Sequence, residues 1–367
     1  MPAEFLPGDE GGSRSPLNPA LTGEGQGWGL QLNHLYQVIS FIIIKRMKKE
    51  DLRIVFMGTP EFAVETLRAL IDAGYNVVAV VTQPDKPVGR HGSVLQPSAV
   101  KQYAVEHGLP VLQPEKMKDP VFVEQLKALD ANLQVVVAFR MLPEVVWAMP
   151  EYGTFNVHAA LLPDYRGAAP INWAVINGET RTGVTTFFLD HDIDTGRIIH
   201  QLPFDIPDDA DVEYVYDGLM KLGARICLET LQMIIDSDGH PQSMPQQETQ
   251  AVHAAPKIFK DTCRIDWQQP AKRVYDFVRG LSPVPGAWTM LKDGDGKETV
   301  LKIYRATKTD QPARGETGQI MADRKHLYVA CCDSLLRVDE LQPAGKKRMD
   351  AQAFLNGMHE VEKYFVE

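Results

Sequence analysis

Cysteine is scarce in this chain. Four residues in 367, Cys227, Cys263, Cys331 and Cys332, are too few and too unevenly spaced for a disulfide scaffold. No Cys-x-x-Cys pair occurs, which disfavours a zinc ribbon or a thioredoxin-type site. A reducing, cytoplasmic setting is expected. Long apolar runs are missing as well. The longest, residues 38–44, is broken by Ser40, whereas a spanning helix needs about 20 residues, so no membrane partner is expected. A dinucleotide fingerprint is also absent. Gly58-Thr59-Pro60 stands where such a fold turns out of its first strand, but it lacks the second glycine that lets a pyrophosphate approach the backbone. Finally, positive charge is in deficit: a net charge of −10 excludes a chain that coats nucleic acid along its whole length.

What is present looks globular. Apolar residues make up 44% and charged residues 23%, and the length allows about two or three domains. Charge is divided unevenly. Residues 257–367 carry 19 Lys and Arg against 16 Asp and Glu, while residues 1–256 carry 19 against 32. An acidic body with a mildly basic tail implies domains with different partners.

Residues 1–46 read as a disordered or non-native extension, rich in Gly, Pro, Ser and Glu. The basic cluster Lys45-Arg46-Met47-Lys48-Lys49 follows the apolar run, the reverse of a signal peptide. Translation is expected to begin at Met47, which leads directly into a first strand over residues 52–57.

Residues 47–236 form the expected catalytic domain. A buried strand ends at Gly58, Thr59-Pro60-Glu61 supplies a cap and a helix start, and a second strand covers residues 77–82. This βαβ opening predicts a parallel sheet. A polar loop is expected over 83–97, helices over 98–107 and 121–129, and strands near 110–112, 133–138 and 154–158. Further strands fall at 184–189 and 198–204, and a long helix at 212–235. Together they indicate an α/β, doubly wound, Rossmann-like N-terminal domain. Residues 237–256 read as a linker by composition. Residues 257–367 combine a helix at 271–281 with short strands and tight turns, the pattern of a small C-terminal β-barrel of OB-like type.

Chemistry concentrates in two segments. In Phe155-Asn156-Val157-His158, residues two apart share a face of the strand, so Asn156 and His158 point the same way. An amide donor beside an imidazole suits a carbonyl that gains negative charge, with a proton to move near neutral pH. The second segment, Asp190-His191-Asp192-Ile193-Asp194-Thr195-Gly196, reads as a metal site, a solvated turn or an acid/base. It lacks the remaining ligands of a calcium loop, and no metal is expected.

Read in order, Asn156-x-His158-x-x-Leu161-Leu162-Pro163-x-Tyr165-Arg166-Gly167, then Thr182-Gly183-x-Thr185, then Asp194-Thr195-Gly196 resemble the folate-dependent formyltransferase family. The resemblance runs from about residue 52 to the C-terminus. It includes Phe56-Met57-Gly58-Thr59-Pro60-Glu61-Phe62, Ile265-Asp266-Trp267 and Arg279-Gly280-Leu281-Ser282-Pro283. It implies an enzyme that moves the formyl group of 10-formyltetrahydrofolate onto the amine of methionyl-initiator tRNA. Asn156, His158 and Asp194 would be catalytic. The first two would steady the developing oxyanion, and Asp194 would orient His158 and help move protons. Ala160, Leu161, Leu162 and Pro163 would line the folate site, with Phe139, Arg140, Met141, Leu142 and Asp190 around the pterin. Lys86 and Arg90, on the loop after the second strand, would meet the tRNA acceptor stem. Lys257, Lys346, Lys347 and Arg348 are candidate phosphate contacts of a protein expected to be monomeric. Two departures stand out: the family usually has Ser at Ala160, and the 138–143 loop is one residue shorter. Alternatives are an amino-sugar formyltransferase and a catalytically inactive RNA- or folate-binding module. A glycinamide ribonucleotide formyltransferase fits less well, because it lacks the second domain.

Overall fold

The protein is described here by a computed structural model covering residues 46–88, 93–247, 253–358 and 360–367. Apart from Arg46, the expected N-terminal extension lies outside the described residues. Strand β1 (Arg53–Gly58) is buried on both sides: Ile54 and Phe56 enter one hydrophobic cluster, Val55 and Met57 another. Alternation along the strand therefore feeds two cores, which requires a covering layer on each face of the sheet. Helix α1 (Glu61–Asp72) follows immediately. Pro60, not Thr59, is its N-cap residue, and the Thr59 hydroxyl is buried without a partner. A methyl group at Gly58 would lie 2.7 Å from Ala63 Cβ, so glycine permits this close strand-to-helix turn.

Strand β2 (Asn76–Val81) leads into a hairpin of β3 (Lys86–Val88) and β4 (Val94–Gln96). The stretch expected as a polar loop is thus partly ordered as a strand pair. Then come α2 (Ala99–Glu106), β5 (Val111–Leu112), α3 (Pro120–Ala128), β6 (Leu133–Val137), α4 (Glu144–Trp147) and β7 (Thr154–His158). Next are β8 (Arg166–Gly167), α5 (Pro170–Ile176), β9 (Arg181–Phe188), β10 (Ile198–Asp205) and α6 (Val212–Asp236). The sheet order is β10-β9-β7-β6-β1-β2-β5. From β7 to β5 the strands are parallel, and β9 and β10 extend that edge antiparallel. Leu67 of α1 and Leu219 of α6 cover one face, while Phe122 of α3 and Val146 of α4 cover the other. The doubly wound expectation holds for the parallel part.

The stretch 237–256 is pinned at both ends. Met244 pairs with Ile198 on the β10 edge, and β11 (Ala254–Ala255) runs parallel to β8. Beyond it lie α7 (Ala271–Leu281), β12 (Ala287–Lys292), β13 (Glu298–Pro312), β14 (Ile320–Ala322), β15 (Leu327–Ala330) and β16 (Ser334–Pro343). The chain finishes with β17 (Met349–Asp350), α8 (Ala351–Leu355) and β18 (Phe365–Val366). The order β14-β15-β16-β13-β12-β18 is a barrel sheet. It closes where Val366 N donates to Gly318 O (2.9 Å) and Ile320 N donates to Tyr364 O (3.1 Å). Closure pairs the edges that would otherwise be open to other chains.

A buried ion pair ties the barrel to the first domain. Asp276 of α7 is 1% exposed and accepts from Arg279 Nε (2.8 Å), whose Nη1 donates to Ala210 O (2.8 Å). Asn172 Nδ2 adds a bond to Gly280 O (2.9 Å). Removing Arg279 leaves the buried Asp276 with only the half-exposed Lys272 as partner and strips Ala210 O of its donor. Arg279→Ala is expected to lower the unfolding free energy in urea by about 3 kcal/mol, and the paired Asp276→Leu, Arg279→Met variant by distinctly less. All four cysteines are free thiols. Burial pushes the Cys227 thiol far above its ordinary range and that of Cys331 up to about 12, so neither is a ready nucleophile. Among the described residues no helix is long and apolar enough to cross a membrane.

Candidate active site

A cavity of about 780 Å³ opens beyond the C-terminal ends of β6 and β7, where ligands of open α/β sheets bind. Its wall includes Phe139, Arg140, Met141 and Leu142 after β6, Asn156 and His158 on β7, and Asp190 to Asp194 after β9. The shared face expected for Asn156 and His158 is realised. Asn156 Oδ1 is buried without a hydrogen-bond partner.

His158 is 6% exposed. Its Nε2 lies 2.9 Å from the backbone carbonyl of Tyr165. A carbonyl only accepts, so Nε2 carries the proton. Nδ1 faces Asp194 Oδ2 at 3.9 Å, too far for a hydrogen bond. The ring's direct hydrogen bond is thus to Tyr165 O, with the Asp194 carboxylate facing its other nitrogen. Asp194 is itself held: its Oδ2 accepts from Gly167 N at 2.9 Å. Asp190 and Asp192 are exposed, and Asp194 alone of the three turns inward.

Three non-glycine residues around the site have positive φ: Ala138 (46°), Tyr165 (60°) and Asp194 (55°). Such backbone persists only where its surroundings over-determine it. For Tyr165 these are plain. Its N donates to His253 O (2.6 Å), its hydroxyl donates to Glu179 Oε1 (2.6 Å), and its ring stacks on His253. Burial, reinforced by Glu179, pushes the phenol well above its usual range.

Ala160, Leu161, Leu162 and Pro163 lie outside the lining of this cavity. Ala160 and Leu162 are buried, and the loop is clipped to β9: Thr185 Oγ1 donates to Ala160 O (2.6 Å) and accepts from Leu162 N (3.1 Å). A methyl group at Gly183 would lie 2.2 Å from Leu202 O, so the Thr-Gly-x-Thr run is a packing device. Where the family usually has Ser, Ala160 sits fully buried. Arg140 does reach the cavity, but its guanidinium is also tied to the backbone: Nη1 donates to Glu115 O (2.8 Å) and Nη2 to Pro114 O. Its Nε is buried without a partner, and burial lowers its pKa.

The cations expected to meet RNA are scattered. Lys86 is exposed at the base of the β3–β4 hairpin, whereas Arg90 lies outside the described residues. Lys257 lines the cavity and lies over the Phe259 ring. Lys346 and Lys347 are exposed between β16 and β17. Arg348 is partly committed: its Nη2 donates to Glu340 Oε2 (2.6 Å) and its guanidinium lies over Tyr304.

A family profile described as "Formyl transferase" matches residues 52–231, and one described as "Formyl transferase, C-terminal domain" matches residues 257–359. A methionyl-tRNA formyltransferase of Parabacteroides distasonis is 62% identical over 323 residues, covering 87% of this chain and 100% of the relative. The chain belongs to the formyltransferase family. The enzyme of the same description from Bacteroides fragilis is 56% identical, covering 87% of this chain and 98% of its own. Solved formyltransferase-like folds are more distant. HypX from Aquifex aeolicus, solved with tetrahydrofolic acid, has a TM-score of 0.56 at 20% identity, over 83% of this chain and 47% of that one. This formyltransferase thus spans under half of HypX. WlaRD, a sugar 3N-formyl transferase, has a TM-score of 0.56 at 16% identity, over 81% of this chain and 99% of its own. At such identities the likeness is one of fold.

Among the residues that position the formyltransferase site, Tyr165, Thr185 and Gly167 act mainly through backbone groups or packing. All three stand in the motifs read from the sequence, but residue type alone does not reveal these positioning roles.

Proposed function

We propose that this formyltransferase moves the formyl group of 10-formyltetrahydrofolate to the amino group of methionyl-initiator tRNA, for translation initiation. One juxtaposition carries the reading. Asn156, His158 and Asp194 meet at one cavity, in a chain 62% identical to a methionyl-tRNA formyltransferase along that relative's full length. The working unit we propose is a monomer.

When bound, 10-formyltetrahydrofolate supplies the carbon that the amine attacks. Phe139, Arg140, Met141, Leu142 and Asp190 would hold it. The partnerless Asn156 Oδ1 and Arg140 Nε leave hydrogen-bonding capacity for a ring with polar edges. Ala160, Leu161, Leu162 and Pro163 would add to the folate site beside this wall. The Asn156 amide donates to the formyl oxygen as that atom gains negative charge. With its Nε2 proton committed to Tyr165 O, neutral His158 keeps a lone pair on Nδ1. Nδ1 takes the proton that the attacking amine loses. The resulting imidazolium would face the Asp194 carboxylate, which stabilises it. The proton would then go to N10 of the folate as the C–N10 bond breaks, so that the carbonyl re-forms on the new amide and tetrahydrofolate leaves.

The hairpin loop with Lys86 and Arg90 would enter the acceptor stem. Lys257, Lys346, Lys347 and Arg348 would add phosphate contacts that weaken with salt. Residues 47–236 would thus be the catalytic domain and 257–367 the RNA-holding barrel. Arg90→Ala is expected to raise the KM for tRNA roughly tenfold, the loss of one charge-assisted contact, with the folate KM unchanged. Unaltered tRNA kinetics would sink the loop assignment. The reaction itself is tested by mixing protein, 10-formyltetrahydrofolate and methionyl-tRNA. Formylmethionyl-tRNA and tetrahydrofolate should appear in equal amounts; donor consumption without formylation would overturn the reading.

A further inference from the structure

We infer that Gln246, in the stretch between the two domains, is a positioning residue for Asp194. The inference rests on the reading of Asp194 as the catalytic carboxylate. Asp194 occupies the left-handed region, φ 55°, without being glycine, so something must hold both its backbone and its side chain. A closed hydrogen-bonded ring does both. Gln246 Nε2 donates to Asp194 O (2.8 Å) and to Gly196 O (2.9 Å). Gln246 Oε1 accepts from Arg166 Nε (3.0 Å) and Nη2 (2.7 Å). The residue after Arg166 is Gly167, whose N–H donates to Asp194 Oδ2 (2.9 Å) and completes the ring.

Only an amide fits the central position. Two carbonyl oxygens on one side demand a nitrogen with two hydrogens, and a guanidinium on the other demands an oxygen. A carboxylate would satisfy Arg166 but oppose two carbonyl oxygens. A leucine of similar shape would satisfy neither. Gln246 itself is anchored close by, because Met244 exchanges both backbone hydrogen bonds with Ile198 at 2.8 Å.

Steady-state kinetics of the full chain test this, using Gln246→Leu, Gln246→Glu, Asp194→Asn and the double variant Asp194→Asn, Gln246→Leu. Misplacing a catalytic group by about an ångström can cost on the order of 100-fold. Both Gln246 variants should therefore lose at least about tenfold in kcat, with KM for folate and tRNA within about twofold of wild type. In the Asp194→Asn background the Gln246→Leu change should add less than about twofold, because the group it positions is already gone. Unchanged kcat in Gln246→Glu overturns the proposal, and so does an equal multiplicative loss in both backgrounds. Should Gln246→Leu fail to fold, Gln246→Glu, which keeps the Arg166 contact, carries the kcat and KM test alone. If Asp194→Asn turns over like wild type, it is the reading of Asp194 that fails, an outcome distinct from either of these.

Discussion

His158→Ala is expected to lower the kcat of formyl transfer by between about 100-fold and 10,000-fold, the range for losing a positioned proton acceptor. The variant should still fold. His158 packs against the edge of Phe187 and donates one bond to Tyr165 O, and no buried charge loses a partner bonded to it. Binding of methionyl-tRNA should be largely preserved, since the candidate RNA contacts lie on the hairpin loop, the cavity mouth and the barrel. Single-turnover rates at saturating folate, with tRNA affinity from filter binding, separate the two effects. A kcat within a factor of three of wild type would contradict the assignment of Nδ1 as the proton acceptor. Asn156→Ala is the companion variant. Loss of one oxyanion donor costs about 100-fold to 1,000-fold, so it should be impaired by a similar amount with an unaltered pH dependence.

Gly167→Ala should disturb both the fold and the site. Gly167 has φ 129°, a conformation that residues with a Cβ avoid. The added carbon would lie 2.4 Å from Ala255 O and 2.9 Å from its carbonyl carbon, both backbone atoms of the paired strand β11. Neither can rotate away, so β8 and β11 must part. Their separation would move the Gly167 N–H that holds Asp194 and loosen the Tyr165 carbonyl that orients His158. We expect a stability loss above about 2 kcal/mol, from backbone strain and steric overlap together, and activity reduced beyond what the unfolded fraction explains. Gly345→Ala is the matched control. It also has positive φ (76°), but nothing lies within 4 Å of the added carbon. It should cost only about 1 kcal/mol and leave activity intact. Equal behaviour of the two variants would show that the β8–β11 contact does not support the site.

Much of this architecture is legible from residue order, for physical reasons. Strands β1, β2 and β6 are buried and mostly apolar, so they read as short apolar runs. Helix α7 was placed at residues 271–281, where its capping proline and amphipathic spacing agree with the fold. Other elements carry no such mark. The β3–β4 hairpin has strands of only three residues, largely exposed, with Pro87 inside it, so it reads as loop. Helix α5 is seven residues long and begins at Pro170, too short for a helical period to show. The site divides along the same line. Asn156, His158 and Asp194 are side chains in dense motifs and can be found there. The Tyr165 carbonyl is a backbone group with no residue-type signature. Gln246 sits in a stretch whose Pro and Gln content reads as linker, and its partners are remote in sequence. Ala160 to Pro163 form a conspicuous motif whose tie to β9 through the Thr185 hydroxyl is not readable from residue order.

The most direct measurement offers the protein a choice of acceptor. Full-length chain and formyl-labelled 10-formyltetrahydrofolate are mixed with equimolar methionyl-initiator tRNA and a nucleotide-linked amino sugar. Label should appear on methionine alone, and the Asp194→Asn protein should transfer it far more slowly. Label on the sugar, or on neither acceptor, would contradict the account.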